Sequence, residues 1–416
     1  MNANLQAAKQ TQSLSAKQPS SHAAGDATSQ APHALKTTAR ALPGWVYTDP
    51  RMAALEQERL LKPSWQIVCH QSQLPEPRDY QVLDVGTDSV IVVRDPLGVI
   101  NAYHNHCRHR GARLLSGEGS CSSLIVCPYH GFSYNIQGEL VGVPQKDTFD
   151  ANFNRHHWSL KRAPVALWNG FVFVWLSEQA PRSLAEQFAP FDAELAPYQL
   201  DKMVPLAPIE DEIWPVNWKV AMDNYLESYH VPIGHPGLYR LCHPDYEDQR
   251  SVNNVSRGIG PFRAEPSSLW TERLYVKLVK QLITHLPPEH TGSWRFYSAL
   301  PNLGLDFYPE QMDFFQILPT HDGQTRLRYA RYGLPDARPE VAKLRRLGLR
   351  LNRAVNVEDK KLCLLVQRGL ESSAYTPGPL SSIERWMGTF HAQLEAAIPE
   401  IRRPQPPAEW GSPSHA

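Results

Sequence analysis

Apolar positions along the chain fall into two textures. Between residues 50 and 61, Met52, Leu55, Leu60 and Leu61 stand among charges at helical spacing. Short β-branched or aromatic runs follow at Trp65–Cys69, Tyr80–Val85, Ser89–Arg94, Val99–His104, Ser123–Cys127, Gly131–Asn135 and Trp168–Leu176, broken by Pro, Gly or Asp as antiparallel strands are. Asp95–Gly98 and Asn169-Gly170 supply turns. Past about Pro181 the period lengthens: Leu184–Leu200 and Val216–Tyr229 predict helices, and Met203–Trp214 a strand. Trp294–Leu303, Phe307–Pro319 and Gln324–Gly333 predict three strands of a sheet, separated by Pro301-Asn302 and Asp322-Gly323. Arg338–Gly369 reads as one long or broken helix stopped by Gly369. The pattern predicts an α+β chain with a β-rich domain at 41–178, a mixed domain at 179–402 and a loose Pro-rich end at 403–416.

Composition removes several function classes. The 416 residues are 42% hydrophobic and 20% charged, enough apolar content for two cored domains. Lys+Arg and Asp+Glu both number 42, so no basic field invites nucleic acid or an anionic membrane surface, and neither is expected as a partner. No apolar run reaches bilayer-spanning length. The six cysteines show no disulfide framework, which points to a reducing, cytoplasmic setting. Residues 1–40 are rich in Ala, Ser, Gln and Thr, with Asp26 the only acid and Arg40 the only arginine, and are expected to be a disordered tail rather than a transit peptide.

One stretch organises the candidate chemistry. Cys107-Arg108-His109 is followed by seventeen residues and then Cys127-Pro128-Tyr129-His130. A [2Fe–2S] centre of the Rieske type takes two thiolates on one iron and two imidazoles on the other, and mixed Cys/His pairs on two short loops deliver that set. A tetrahedral zinc site uses the same residue types but more often pairs Cys with Cys and His with His. Gly111 and Gly131 follow the two pairs, and Pro128 stiffens the second loop. The runs CRHRGA and CPYHGF, with Gly138 beyond them, resemble the Rieske domain of the ring-hydroxylating oxygenase α-subunit family, with Phe132 where many members carry Trp.

A second constellation lies at Asn224 to Pro236. Glu227 and His230, three apart, share a face of the predicted helix, while His235 falls roughly 140° further round an ideal helix. The two histidines meet only if the helix is interrupted, and Pro232, Gly234 and Pro236 supply the interruption. A mononuclear non-haem Fe(II) centre needs two histidines and one carboxylate on one face. The late helix offers Asp359, placed at the edge of an apolar stripe of Leu362, Leu365, Val366 and Leu370; spacing alone favours a solvated acid beside Lys360 and Lys361.

The same family resemblance extends over residues 41–395, through NWK at 217–219, the E-x2-H-x4-H run and the acid pair followed by Gln367–Leu370. It implies a helix-grip-like, START-type catalytic domain with an antiparallel sheet and a long C-terminal helix. It implies His230, His235 and Asp359 as iron ligands, and Cys107, His109, Cys127 and His130 as cluster ligands. Glu227 takes the place of the acid that links the mononuclear iron to a cluster on a neighbouring subunit, hence a homotrimer, with Asn224 beside it among the catalytic residues. A Glu there, where many members have Asp, is similar to the branch that oxidises carnitine, choline and glycine betaine.

The resemblance therefore implies a terminal oxygenase using O2, fed by a separate NAD(P)H-dependent reductase or ferredoxin, since no flavin or nicotinamide fingerprint is present. It would hydroxylate or demethylate a small aromatic or quaternary ammonium compound. A plain electron-transfer Rieske protein would need only the first 180 residues. Trp214, Trp270, Tyr275, Trp294, Phe296, Tyr297, Phe307 and Phe314 concentrate aromatics where a pocket is expected, several of them as ordinary core.

Overall fold

Val90 to Val93 are all buried, and because successive side chains of a strand point to opposite faces, Val90 and Val92 enter one core while Ile91 and Val93 enter another. Their strand, Asp88–Arg94, is thus central to the N-terminal half. It lies in an antiparallel sheet ordered Ile100–His104, Asp88–Arg94, Asp79–Val85, Glu118–Ser120. On its Val90/Val92 side packs a three-stranded sheet of Trp65–His70, Phe171–Trp175 and Val165–Trp168, whose last two strands turn at Asn169-Gly170 as expected. On the Ile91/Val93 side sit Cys107, Cys127, Phe132 and Tyr134, with a small sheet of Leu124–Val126, Ser133–Asn135 and Leu140–Gly142. The computed structural model describes residues 39–180, 182–243 and 247–410, without the side chains of 247–250. The tail expected over residues 1–40 lies outside the described residues except for its last two positions.

The C-terminal half is an eight-stranded antiparallel sheet. Val204–Pro205 and Glu210–Trp214 both pair with Thr325–Gly333, followed in order by Gln311–Pro319, Leu303–Tyr308, Ser293–Ala299, Val255–Pro261 and Glu247–Val252. The helix Pro339–Leu370, 32 residues long and unbroken, packs beside it with Trp218–Tyr225 and Trp270–Leu282. Fold class and the long late helix agree with the sequence reading.

Five local expectations need correction. Leu184–Leu200 is not one helix but Leu184–Phe188, Ala189–Phe191, Asp192–Leu195 and Ala196–Tyr198, since Pro190 and Pro197 each remove a backbone donor. Met203–Trp214 is two short strands. The predicted helix to Tyr229 stops at Tyr225, so Glu227 and His230 do not share a helical face. The expected three-strand stretch holds four strands, because Leu303–Tyr308 and Gln311–Pro319 are separate, and the hairpin before it and the helix Arg385–Ala397 were unread. Residues 403–410, expected to be loose, pack instead: Trp45 donates to the Arg403 carbonyl at 2.9 Å and meets Trp410 edge-on at 5.8 Å. Residues 411–416 lie outside the described residues.

Candidate active site

The two cluster loops are built alike. In each, the glycine four residues after the cysteine has φ +74° and donates its N–H to that cysteine's carbonyl, at 2.9 Å for Gly111 and 3.1 Å for Gly131. Each cysteine N–H in turn donates to the carbonyl five residues on, of Ala112 and Phe132. A left-handed residue at that corner favours glycine. The result is asymmetric in exposure: Cys107 and Cys127 are buried, whereas His109 and His130 face solvent with ring centroids 4.7 Å apart. His109 stacks on Phe132 and His130 on Tyr129. Tyr134 accepts the Arg108 N–H at 3.0 Å, which leaves its own hydroxyl hydrogen for Cys107 Sγ, 3.3 Å away.

The second constellation forms where the helix Trp218–Tyr225 ends. Asn217 caps that helix through Lys219 N. The NWK stretch then anchors the N-terminal half: Lys219, fully buried, pairs with Glu56 at 2.5 Å, and Trp218 donates to the other Glu56 oxygen at 2.6 Å. Beyond Tyr225 the chain loops, and Glu227 caps the next turn by accepting the His230 N–H at 3.1 Å. Val231–Gly234 makes that turn, His235 leaves helical conformation at φ −125°, and Pro236–Leu241 begins a new helix. The interruption read from Pro232, Gly234 and Pro236 thus falls where both imidazoles turn to one point.

The carboxylate comes from the long helix. Its buried positions around Asp359 are Asn352, seven residues before it, and Cys363 and Leu370, four and eleven residues after it, whereas Leu365 and Val366 are 65% and 51% exposed. Asp359 therefore sits on the inward face itself, and the stripe through Leu365 and Val366 that was expected to carry it faces out. His230 Nε2 and His235 Nε2 lie 3.0 Å apart, and Asp359 Oδ1 is 2.9 Å from His235 Nε2 and 3.5 Å from His230 Nε2. Ligand atoms at about 2.1 Å from one ion and at right angles to each other stand ~3 Å apart.

Behind the imidazoles, Glu227 contacts His230 Nδ1 and Glu358 contacts His235 Nδ1 at 2.9 Å. Each Nδ1 proton thereby has an acceptor, and each Nε2 keeps a lone pair for the shared point. Asp359 Oδ1 is buried with no hydrogen-bond donor aligned on it. Three lone-pair atoms brought this close to one point are the donor set a divalent cation takes. Burial alone would lower both imidazoles. The Asp359 carboxylate outweighs it, joined by Glu227 at His230, which rises to about 9, and by Glu358 at His235, which also rises. The site as folded draws positive charge.

A cavity of ≈ 120 Å³ opens beside these three residues, room for a small organic molecule. Asn224 and Glu227 line it, as do Trp214, Tyr225, Phe296, Phe315 and Trp386. Of the eight aromatics singled out in the sequence only Trp214 and Phe296 belong to it. Trp270 is 65% exposed, and Tyr275, Trp294, Tyr297, Phe307 and Phe314 are buried in the main core. Glu358 and Asp306 were also missed; neither carries a spacing signal, because their partners come from remote elements.

Residues 64–162 match the model of the Rieske [2Fe–2S] domain, and residues 194–400 match that of the ring hydroxylating alpha subunit catalytic domain. The chain belongs to the ring-hydroxylating oxygenase α-subunit family. It is a Rieske-type oxygenase, whose cofactors are a [2Fe–2S] cluster and a mononuclear iron. The chain is similar to the glycine betaine monooxygenase oxygenase subunit of Chromohalobacter salexigens, with 28% identity over 403 residues covering 86% of this chain and 88% of the relative. The chloroplastic choline monooxygenase of Arabidopsis thaliana is 29% identical over 359 residues, covering 84% and 80%. A solved quaternary ammonium Rieske monooxygenase shares the fold, with a TM-score of 0.73 at 24% identity, covering 86% of this chain and 96% of that one. No described helix is long and apolar enough to cross a membrane.

Proposed function

We propose that this chain is the terminal oxygenase component of a system that oxidises a small quaternary ammonium compound. The observation that carries the reading is the meeting of His230, His235 and Asp359 beside an aromatic-walled cavity. In this reading Cys107 and Cys127 hold one iron of the cluster, His109 and His130 hold the other, and the triad holds the mononuclear iron. When bound, the cluster and the iron supply electrons and O2 activation, respectively.

The protein's own side chains do the rest. Glu227 and Glu358 orient the two imidazoles, and the aromatic walls exclude water and offer π faces to a cationic head. His109 and His130 are exposed at the cluster tip, free to meet an acid outside their own loops. Glu227 is proposed as that acid, joining His230 to His130 of the partner subunit in a homotrimer. A separate NAD(P)H-dependent reductase or ferredoxin is proposed to deliver the electrons. The names of the relatives support an ammonium substrate over an aromatic one, and the Glu at position 227 agrees with it.

Iron and sulfide analysis with O2 uptake tests the proposal. The loaded protein should hold three irons and two sulfides per chain and, with a surrogate reductase, consume O2 with choline, glycine betaine or carnitine in preference to aromatic acids. His235→Ala should lose one iron and all O2 uptake while keeping the cluster's visible spectrum. Two irons in fully active wild-type protein would overturn the assignment of the triad.

A further inference from the structure

The floor of the cavity is a carboxylate that neither metal centre uses. Asp306, on the strand Leu303–Tyr308, lines the cavity and is 5% exposed. Its Oδ1 lies 2.7 Å from the Tyr225 hydroxyl and its Oδ2 3.0 Å from the Tyr308 hydroxyl. Glu227, Glu358 and Asp359 are committed to imidazoles, whereas among the described residues no lysine or arginine forms an ion pair with Asp306. A buried carboxylate without a cation is costly to ionise. Burial accordingly pushes Asp306 up to about 7, the two phenols pulling it back and the charge of Asp359 adding to the rise.

Asp306 has a neighbour that sharpens its role. Asp313 stands directly opposite it on the adjacent strand, is fully buried, and accepts from Tyr329 at 2.9 Å and Gln311 at 2.8 Å. Burial holds Asp313 well above the usual carboxylate range, and both its oxygens are taken up by Tyr329 and Gln311 away from the cavity lining, so Asp306 is the acid of the pair that a ligand meets. Tyr225 accommodates both states. Its single hydroxyl proton has two acceptors in reach, the Tyr297 carbonyl at 2.8 Å and Asp306 Oδ1 at 2.7 Å. With Asp306 protonated, the acid donates to the phenol oxygen and the phenol donates to the carbonyl. With Asp306 ionised, the phenol turns its proton to the carboxylate. The floor passes from neutral to anionic by releasing the Asp306 proton to water and turning the Tyr225 hydroxyl, with no heavy atom displaced.

A quaternary ammonium head has no N–H to donate, so charge and π faces are the means of recognising it. We propose that Asp306 is the counter-charge by which this cavity selects a cationic substrate over a neutral molecule of the same shape. This rests on the ammonium reading above and adds a specificity-determining residue to it. A fixed positive charge entering the cavity stabilises ionised Asp306, whereas an uncharged isostere leaves the floor neutral and gains nothing from it.

The test uses two probe pairs that differ only by carbon in place of the charged nitrogen: choline with 3,3-dimethylbutan-1-ol, and glycine betaine with 3,3-dimethylbutanoate. Binding to the iron-loaded holoprotein is followed by quenching of tryptophan fluorescence, which Trp214 and Trp386 report from the cavity wall. Wild-type protein should bind the charged member of at least one pair tenfold or more tighter than its isostere. Asp306→Asn should weaken the charged ligand about tenfold and leave the isostere within twofold, with the cluster spectrum unchanged. Tyr308→Phe removes a hydroxyl from behind Oδ2 without touching the cavity, and should weaken the charged ligand alone by a smaller factor. Discrimination retained in both variants overturns the role of Asp306 while leaving the ammonium reading intact. Absence of discrimination in the wild type overturns both.

Discussion

Glu358 shows how much of a metal site can hang on one residue that touches no metal. Its carboxylate accepts from His235 Nδ1 at 2.9 Å, and the helix that carries it also carries Asp359, so one backbone segment supplies both a candidate ligand and the orienter of another. Loss of such a partner typically costs 10–100-fold in metal affinity. Glu358→Ala should therefore weaken Fe(II) binding by roughly that factor, read by titration with iron under anaerobic conditions, with no change in cluster content. Unchanged affinity would show that His235 is held by packing alone. At the other centre, Tyr134 donates to Cys107 Sγ, and that bond strengthens as the reduced cluster gains negative charge. A hydrogen bond of about 1–1.5 kcal/mol corresponds to ~40–60 mV for one electron. Tyr134→Phe should lower the cluster potential by about that amount in protein-film voltammetry, with both sulfur ligands retained.

Among the elements, those governed by local chemistry were legible and those governed by remote partners were not. The strands of the N-terminal half carry their own β-branched runs and turn residues, and Pro232, Gly234 and Pro236 announced the break at His235 because proline and glycine act on their own backbone. The inward face of the long helix was misread, because Leu365 and Val366 are apolar yet 65% and 51% exposed, and composition does not say which face meets the sheet. The strand Trp65–His70 hides a further consequence at its end. His70 is 1% exposed, packs edge-on against Phe171, and accepts the Ser72 N–H at Nδ1. Burial lowers its imidazole to about 4. The unfolded chain takes up a proton near pH 6.5 and the folded chain does not, so the stability this histidine contributes is complete above pH 6.5 and is lost as pH falls toward 4. The loss amounts to about 2 kcal/mol by pH 5. Thermal midpoints of wild type and His70→Gln should differ less at pH 5 than at pH 7.5; a constant difference would mean that His70 takes up its proton in the fold as readily as in the unfolded chain.

At the scale of the whole chain, the sequence announced two chemical centres and both domain textures, but not how the halves lock together. Residues from Ala39 onward fall in one compact unit, and beside the apolar contacts shared by the two halves lies a buried polar lock. The pairing of Trp65–His70 with Phe171–Trp175 shifts register between Ile67 and Cys69, a bulge that turns backbone carbonyls away from the ladder. Arg328, on the catalytic sheet and 5% exposed, donates to the carbonyls of Ile67 and Val68 and to Gln316 Oε1. Beside it, Gln66 Oε1 accepts from Asn302 at 3.1 Å and Gln316 at 3.0 Å. Neither a bulge nor a buried arginine that serves it has a sequence signature, since the partners stand some 260 positions apart. Arg328→Met keeps most of the side-chain volume and removes all its donors, leaving buried carbonyls unpaired at about 1–3 kcal/mol each. The cost falls where the two halves meet. Wild-type protein should lose its cluster circular dichroism and its far-ultraviolet signal in one coincident thermal transition. In Arg328→Met the midpoint should drop by several degrees and the two signals should separate, with the cluster half unfolding apart from the catalytic sheet. Coincident transitions at an unchanged midpoint would place the coupling between the halves in their shared apolar contacts instead.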